Sequence, residues 1–485
     1  MKTKNIYFTL MLTFSFLVSS CDVLDQIPES DITSTNFWKT PQDAEAGLIA
    51  VYNQYRGSVY RSFELGEGRS DNLEIPPKWG YEMINPQAME FNNNIVDANS
   101  GYCTWGNYYN VVTRSNEVIY YTNTISFADE AEKNRILGEA YFLRASAYFT
   151  LAKNWGAVPL IVEPFFSQGE NMYVSRIPVE KIYEQIVNDL NIAKQNLPVT
   201  RSDQRIRATK AAAQVLLCDV LLTRSYTSFA SSDDLEKVIE NANEILANPN
   251  YSLLAGENYS DIFRLGNTSE SIFEIWSDYT QNATHSFCNY FLPRAYDKSR
   301  PYGGETLMLP SHSLDDAFGE EPQDLRYETT IAVLSKEEEQ YYDNNVKGMK
   351  YGNKYLGTVT IIGTQRYSDD NIIIYRLPEV FLMKAEALVK MNKVSEALVL
   401  INQIRARAGL ASKTVESTPD ALSLILEERR KEFAFEGKRW YDLVRMNKVG
   451  EFKKEPEFVH DRFLLAVPQG EVDKNPALLP QNPTY

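Results

Sequence analysis

Apolar residues recur through much of the chain at spacings of three and four, the signature of helices that turn one face to a core. In "TPQDAEAGLIAVYNQYR", Ala44, Leu48, Val51, Tyr52 and Tyr55 share a stripe, Thr40 is placed to cap the helix, Pro41 suits its first turn and Asp43 complements its positive end. The same period predicts helices in "YYNVVTRSNEVIYYT", "KNRILGEAYFLRASAYFTLAKNW", "PVEKIYEQIVNDLNIAKQNL", "ATKAAAQVLLCDVLLTRSY" and "DDLEKVIENANEIL", mostly in pairs with short connections, up to about residue 247. Further on, "LPEVFLMKAEALVKM" sets Leu377, Phe381, Ala385 and Leu388 on one face, and after Asn392 "VSEALVLINQIRARAGL" does the same with Ala397, Leu398, Ile401 and Ile404. One long last helix is predicted over "PDALSLILEERRKEFAFEGKRWYDLVRM", capped by Thr418 with Pro419 in its first turn.

Helix, short turn, helix units with alanines at close-packing points resemble tetratricopeptide repeats. Between residues 250 and 375 the period is lost, replaced by short β-prone runs such as "SIFEIW" and "TVTIIG", Gly/Pro turns and long irregular stretches. Long loops in a compact protein are usually functional, so this insertion reads as working surface and the helices as scaffold. The expected fold is mainly α: tetratricopeptide-like helical pairs over about 36–247 and 375–450, with an inserted irregular region of short strands and long loops over about 250–375. No Pro/Gly/Ser-rich or charge-block linker interrupts the chain, which predicts one domain over 21–485.

Residues 1–20 stand apart. Lys2 and Lys4, the apolar run "IYFTLMLTFSFLV" and the small pair Ser19 and Ser20 have the layout of an export signal. The run is short of the roughly 20 apolar residues a membrane span needs. Cys21 follows at once, and "VSSC" resembles a bacterial lipobox, in which that cysteine is lipidated as the first residue of the mature chain. Several acyl chains, at ~0.8 kcal/mol per buried methylene, hold a protein at a membrane.

Loss of residues 1–20 takes away two lysines and carries the formal net charge from −16 to −18, which repels nucleic acid. Beyond Cys21 the thiols Cys103, Cys218 and Cys288 form neither a disulfide framework nor a zinc set; Cys218 reads as a buried helix residue, and a bridge between Cys103 and Cys288 is left open. His285, His312 and His460 lack zinc-ligand spacing, and there is no GxSxG elbow or phosphate loop, so neither a cofactor nor an enzyme is expected. A glycosidase needs only two carboxylates, and Asp315, Asp316, Glu320 and Glu321 are candidates. Among 65 acidic residues such pairs arise by chance, and "SLDDAFGEEPQDLR" reads as an exposed helix and turn. The run "EERRKEFAFEGKR" reads as ion pairing that positions helices, with Glu432 reaching Arg429 and Glu436, and Arg439 returning to Glu436.

Several segments, in order and over nearly the whole chain, resemble the SusD/RagB family of outer-membrane lipoproteins: "VSSCDVLD", "STNFWKTPQDAEAGLIAVYNQYR", "LGEAYFLRASAYFTLAKNWGAVPLI", "YRLPEVFLMKAEALVKM" with "IRARAGL", "ILEERRKEFAFEGKRWYDLVRMNK" and "VPQGEVDKNPALLPQNPTY". The resemblance implies a tetratricopeptide-containing fold at the cell surface, docked on a SusC-like TonB-dependent transporter and capturing oligosaccharides for import. Oligopeptide capture, or a transporter scaffold without its own ligand, are the alternatives. Sugars present weakly polar C–H faces and a rim of hydroxyls, so a binder needs flat rings plus fixed polar groups. Aromatics make up 12% of the chain, with 30 tyrosines. "GRSDNLEIPPKWGYEM" offers Arg69, Asp71 and Asn72 beside Trp79 and Tyr81, and "FCNYFLPRAYDKSRPYGG" offers Tyr290, Tyr296 and Tyr302; these eight are the expected ligand-binding residues. Trp105, Trp155 and Trp440 read as core.

Overall fold

The structure is a computed structural model. It describes residues 37–485 apart from 76–85, 166–172, 201–204, 282, 286–289, 293–307, 338, 340–347, 356–358, 363–364, 369 and 454. The N-terminal half is a run of helices: α1 (Pro41–Glu67), α2 (Gly106–Thr122), α3 (Glu130–Trp155), α4 (Val179–Asn196), α5 (Lys210–Arg224) and α6 (Asp234–Leu246). Each packs on the next, and α1 also lies along α3. Their starts are chemically marked. Thr40 and Asp43 form a reciprocal capping box on α1, Asp129 caps α3 and Thr209 caps α5.

After the insertion, which includes α7 (His312–Gly319), come α8 (Leu377–Lys390) and α9 (Val394–Arg407), the pair foreseen from Ala385, Leu388, Ala397 and Ile401, all buried. Helix α8 packs on α6, so the chain leaves the scaffold at the end of α6 and returns beside it. Between those points run short antiparallel ladders. β1 (Leu73–Glu74), contributed from the end of α1, pairs with β3 (Leu309–Pro310); β2 (Ser271–Ile275) pairs with β8 (Ile372–Arg376); β4 (Ile331–Val333) pairs with β5 (Lys350–Gly352); and β6 (Val359–Ile362) pairs with β7 (Gln365–Ser368). The expected mainly helical scaffold with an irregular insertion is what forms.

The last predicted helix is in fact two, α10 (Thr418–Phe433) and α11 (Arg439–Arg445), and its cap is Ser417, not Thr418. The break holds Phe435 and Gly437 at φ 65° and 72°. It lets the turn meet the end of α1: a Cβ on Gly66 would lie 1.9 Å from the Gly437 carbonyl oxygen, so only glycine fits. The buried Glu67 carboxylate then accepts the N–H groups of Phe435 and Gly437, each at 3.1 Å.

The break also changes the ion pairing. Glu432 does not pair along its own helix; its carboxylate receives the guanidiniums of Arg326, Arg376 and Arg407, which come from three separate segments, and all four side chains are buried. Glu436 pairs with Arg376 and Lys354, each at 2.8 Å, and Arg439 turns away to Asp71. Burial alone would raise the Glu432 carboxyl, but the three arginines overcome it and hold it well below the usual range. Asp324 and Arg326 are buried in the same network, so only part of "SLDDAFGEEPQDLR" is the exposed helix and turn expected.

Replacing Glu432 strands buried guanidiniums, so Glu432→Leu should lower stability by about 3–5 kcal/mol in denaturant titrations with an unchanged m-value. Glu321, bonded to Arg405 and Lys431, is pulled down from the ordinary 4.5 to about 2, first by the Arg405 hydrogen bond. A depressed carboxyl stabilises fully above its unfolded value and loses that contribution as pH falls through the folded one. Glu321→Gln should therefore be less stable than the native protein at pH 7, with the gap closing between pH 5 and 2 in urea midpoints measured across that range.

Candidate functional site

The first stretch expected to bind ligand contains β1, which pairs with β3 a few residues after the second stretch in sequence: Leu73 faces Pro310 and Glu74 faces Leu309. Trp79 and Tyr81 follow Glu74 in sequence, and Tyr296 and Tyr302 precede Leu309. Those four rings, with Cys21 and Cys288, lie outside the described residues. At the mouth of the ladder Glu74 accepts from the His312 backbone N–H at 2.8 Å and lies 2.9 Å from its Nδ1. That hydrogen bond, with the carboxylate's charge, raises the His312 imidazole above its ordinary value.

Arg69, Asp71 and Asn72 correct the sequence reading: all three are buried and engaged within the protein. The Asp71 carboxylate takes Nε and Nη2 of Arg439 at 2.8 and 3.0 Å and pairs with Arg430 at 3.0 Å. Burial would raise its carboxyl, but Arg439 and Arg430 outweigh that and lower it. Asn72 donates to Glu67 at 2.8 Å and accepts Arg430 Nε at 2.9 Å, while its backbone carbonyl accepts the Ser311 N–H at 2.9 Å. Arg69 has no carboxylate at all among the described residues; its guanidinium lies 4.3 Å from the Trp440 ring and 5.3 Å from that of Phe91, and burial pushes it down to about 10. These groups are internal supports that tie the end of α1 to α10, α11 and the segment before α7. Polar residues next to tryptophan in a loop suggested ligand contacts, but nothing local in "GRSDN" discloses partners more than 350 residues away.

Tyr290 sits at the edge of the surface, half-buried, with its ring 6.4 Å from Tyr60 and 6.2 Å from Phe63, and its hydroxyl donating to Glu64 at 3.0 Å. The last turns of α1 place further polar groups next to Tyr290. Arg61 pairs with Glu64 at 2.8 Å, and its guanidinium lies 4.8 Å from the ring of Tyr102, which stacks at 4.2 Å on Phe91. Burial raises the Glu64 carboxyl against the pull of Arg61. Sequence reading passed over these residues because it followed the apolar stripe of α1 and not the face beside it.

Other expectations sort cleanly. Trp105, Trp155 and Trp440 are core, Trp155 donating from Nε1 to the Ala466 carbonyl at 3.1 Å. Cys103 is a free buried thiol bonded to the Asp97 carbonyl, and Cys218 is buried on α5. Of the carboxylates weighed as a hydrolytic pair, Asp315 is held by Lys350 and Tyr327, and Glu321 by Arg405 and Lys431. A cavity of about 90 Å³ under α1, lined in part by Ser62, Thr150, Lys153 and Tyr441, is well below the roughly 300–1,000 Å³ of ligand pockets. No group of metal-ligating side chains and no helix long and apolar enough to cross a membrane occurs among the described residues.

Two family models match the chain: the SusD family over residues 335–461, and the family described as starch-binding associating with outer membrane over residues 22–222. SusD-like protein P38 of Formosa agariphila is 27% identical over 93% of both chains. The starch-binding protein SusD of Bacteroides thetaiotaomicron is 24% identical over 65% of both. A solved laminarin-binding SusD-like protein superposes with a TM-score of 0.75 and 27% identity, covering 92% of this chain and all of that one. Motifs, helical architecture and these matches agree: the chain belongs to the SusD/RagB family.

Proposed function

We propose that this protein is a cell-surface lipoprotein, anchored in the outer membrane through Cys21, that captures oligosaccharides and delivers them to a partner SusC-like TonB-dependent transporter. The family is one of carbohydrate-binding proteins and not of enzymes, and its description carries association with the outer membrane. One relative is named for starch binding and a structural neighbour for laminarin binding. The observation that carries the reading is the β1/β3 ladder, which sets side by side two points of the chain that flank, in sequence, the aromatic stretches holding Trp79 and Tyr81, and Tyr296 and Tyr302. Flat aromatic rings are the surface that sugar C–H faces favour. The match that begins at residue 22, directly after Cys21, supports a mature chain of 21–485, read as one domain.

In calorimetry, plant, host and microbial polysaccharides should give heat where oligopeptides give none; heat from peptides alone would reverse the assignment. Trp79→Ala should weaken glycan binding at least tenfold with the melting temperature unchanged, the outcome expected of an aromatic ligand anchor. Asp71→Ala should instead lower the melting temperature, since it leaves Arg430 and Arg439 buried without their carboxylate. Cys21→Ala should leave the fold intact and move the protein from the membrane fraction to the soluble one. Retention in the membrane would mean that a protein partner, and not the lipid, holds it.

A further inference from the structure

At the end of α1, Arg61 is fixed on two sides. Glu64, one turn on, takes its Nη1 at 2.8 Å, and the Tyr102 ring carries its guanidinium plane at 4.8 Å. Tyr102 is itself backed by Phe91, stacked at 4.2 Å with an interplanar angle of 9°, and Glu64 is held from its other oxygen by the Tyr290 hydroxyl at 3.0 Å. A guanidinium has five N–H donors in one plane. Glu64 takes one edge, and the Arg61 side chain keeps 27% of its surface in solvent, so donors remain open next to Tyr290. Rotamer freedom, the usual penalty when a long side chain grips a ligand, is already spent on internal contacts.

The charge of the pair matters as much as its rigidity. A lone arginine at a binding surface favours carboxylates, sulfates and phosphates, which it grips in bidentate fashion. Here Glu64 sits at contact distance behind the cation, so the pair has hydrogen-bond donors but no net charge to attract an anion. The chain as a whole is acidic, with a formal net charge of −16, and repels polyanions at long range.

Building on the glycan reading above, we infer that Arg61 donates hydrogen bonds to the hydroxyls of an uncharged sugar, with Glu64 and Tyr102 as positioning residues, so that the site selects neutral glycans over polyuronates. The hydroxyls accept from the open edge of the guanidinium, and Glu64 removes the advantage an acidic sugar would otherwise gain.

The test is affinity electrophoresis and calorimetry at low ionic strength with laminarin and soluble starch as neutral probes and polygalacturonate as the anionic one. The native protein should bind a neutral probe and leave polygalacturonate unbound. Arg61→Gln should weaken neutral binding about tenfold, the effect of a charge-assisted hydrogen bond, with the helical circular-dichroism spectrum of the native protein retained. Glu64→Gln should shift selectivity by acquiring binding to polygalacturonate, a gain that loss of structure cannot produce. Neutral binding in Arg61→Gln within twofold of native, or failure of Glu64→Gln to gain the anionic probe, would overturn the inference and leave the glycan reading standing. Tighter native binding of polygalacturonate would likewise overturn it. Silence from every polysaccharide would remove both.

Discussion

The fold is organised around one buried carboxylate. Glu432 lies where α10 ends, and the three arginines that reach it come from the insertion, from the end of β8 and from the end of α9. A charge in that position is tolerable only when all its partners are in place, so the network ties together segments that apolar packing alone would leave free to slide. Glu428 extends it to Arg326 and Arg405, and Glu436 to Arg376 and Lys354. The repeat-like helices and the irregular insertion are therefore coupled by charge as well as by the hydrophobic core.

The same C-terminal helices support the end of α1 and the β1 segment. Arg430 and Arg439 clamp Asp71 and Asn72, while Glu67 receives the turn between α10 and α11. From there a stack runs upward through Trp440, Arg69, Phe91 and Tyr102 to Arg61. The end of α1 thus rests on an ordered interior in which cations and rings alternate. Arg69 keeps its charge with ring faces in place of a carboxylate, at the expense of a lowered affinity for its proton.

Helices with strong periodicity and explicit caps, such as α1 with Thr40 and Asp43 or α8 with Ala385 and Leu388, were legible in the sequence because their determinants are local. The break at Phe435 and Gly437 was not, since Phe433 and Trp440 continue an apolar rhythm across it and the reason for the turn is the distant backbone of Gly66. The charge run was correctly read as structural and wrongly read as intrahelical for the same reason. The exposure of the polar groups that precede Trp79 and Tyr81 was not legible: Arg69 and Asp71 look available only until the partners Arg439 and Trp440 are known. Tertiary partners across hundreds of residues leave no trace in spacing.

The ladder between Leu73–Glu74 and Leu309–Pro310 is only two residues long on each side. So small a junction joins two distant parts of the chain without the alternating inward and outward pattern that a long strand demands. Its upkeep therefore falls on only four positions of the sequence.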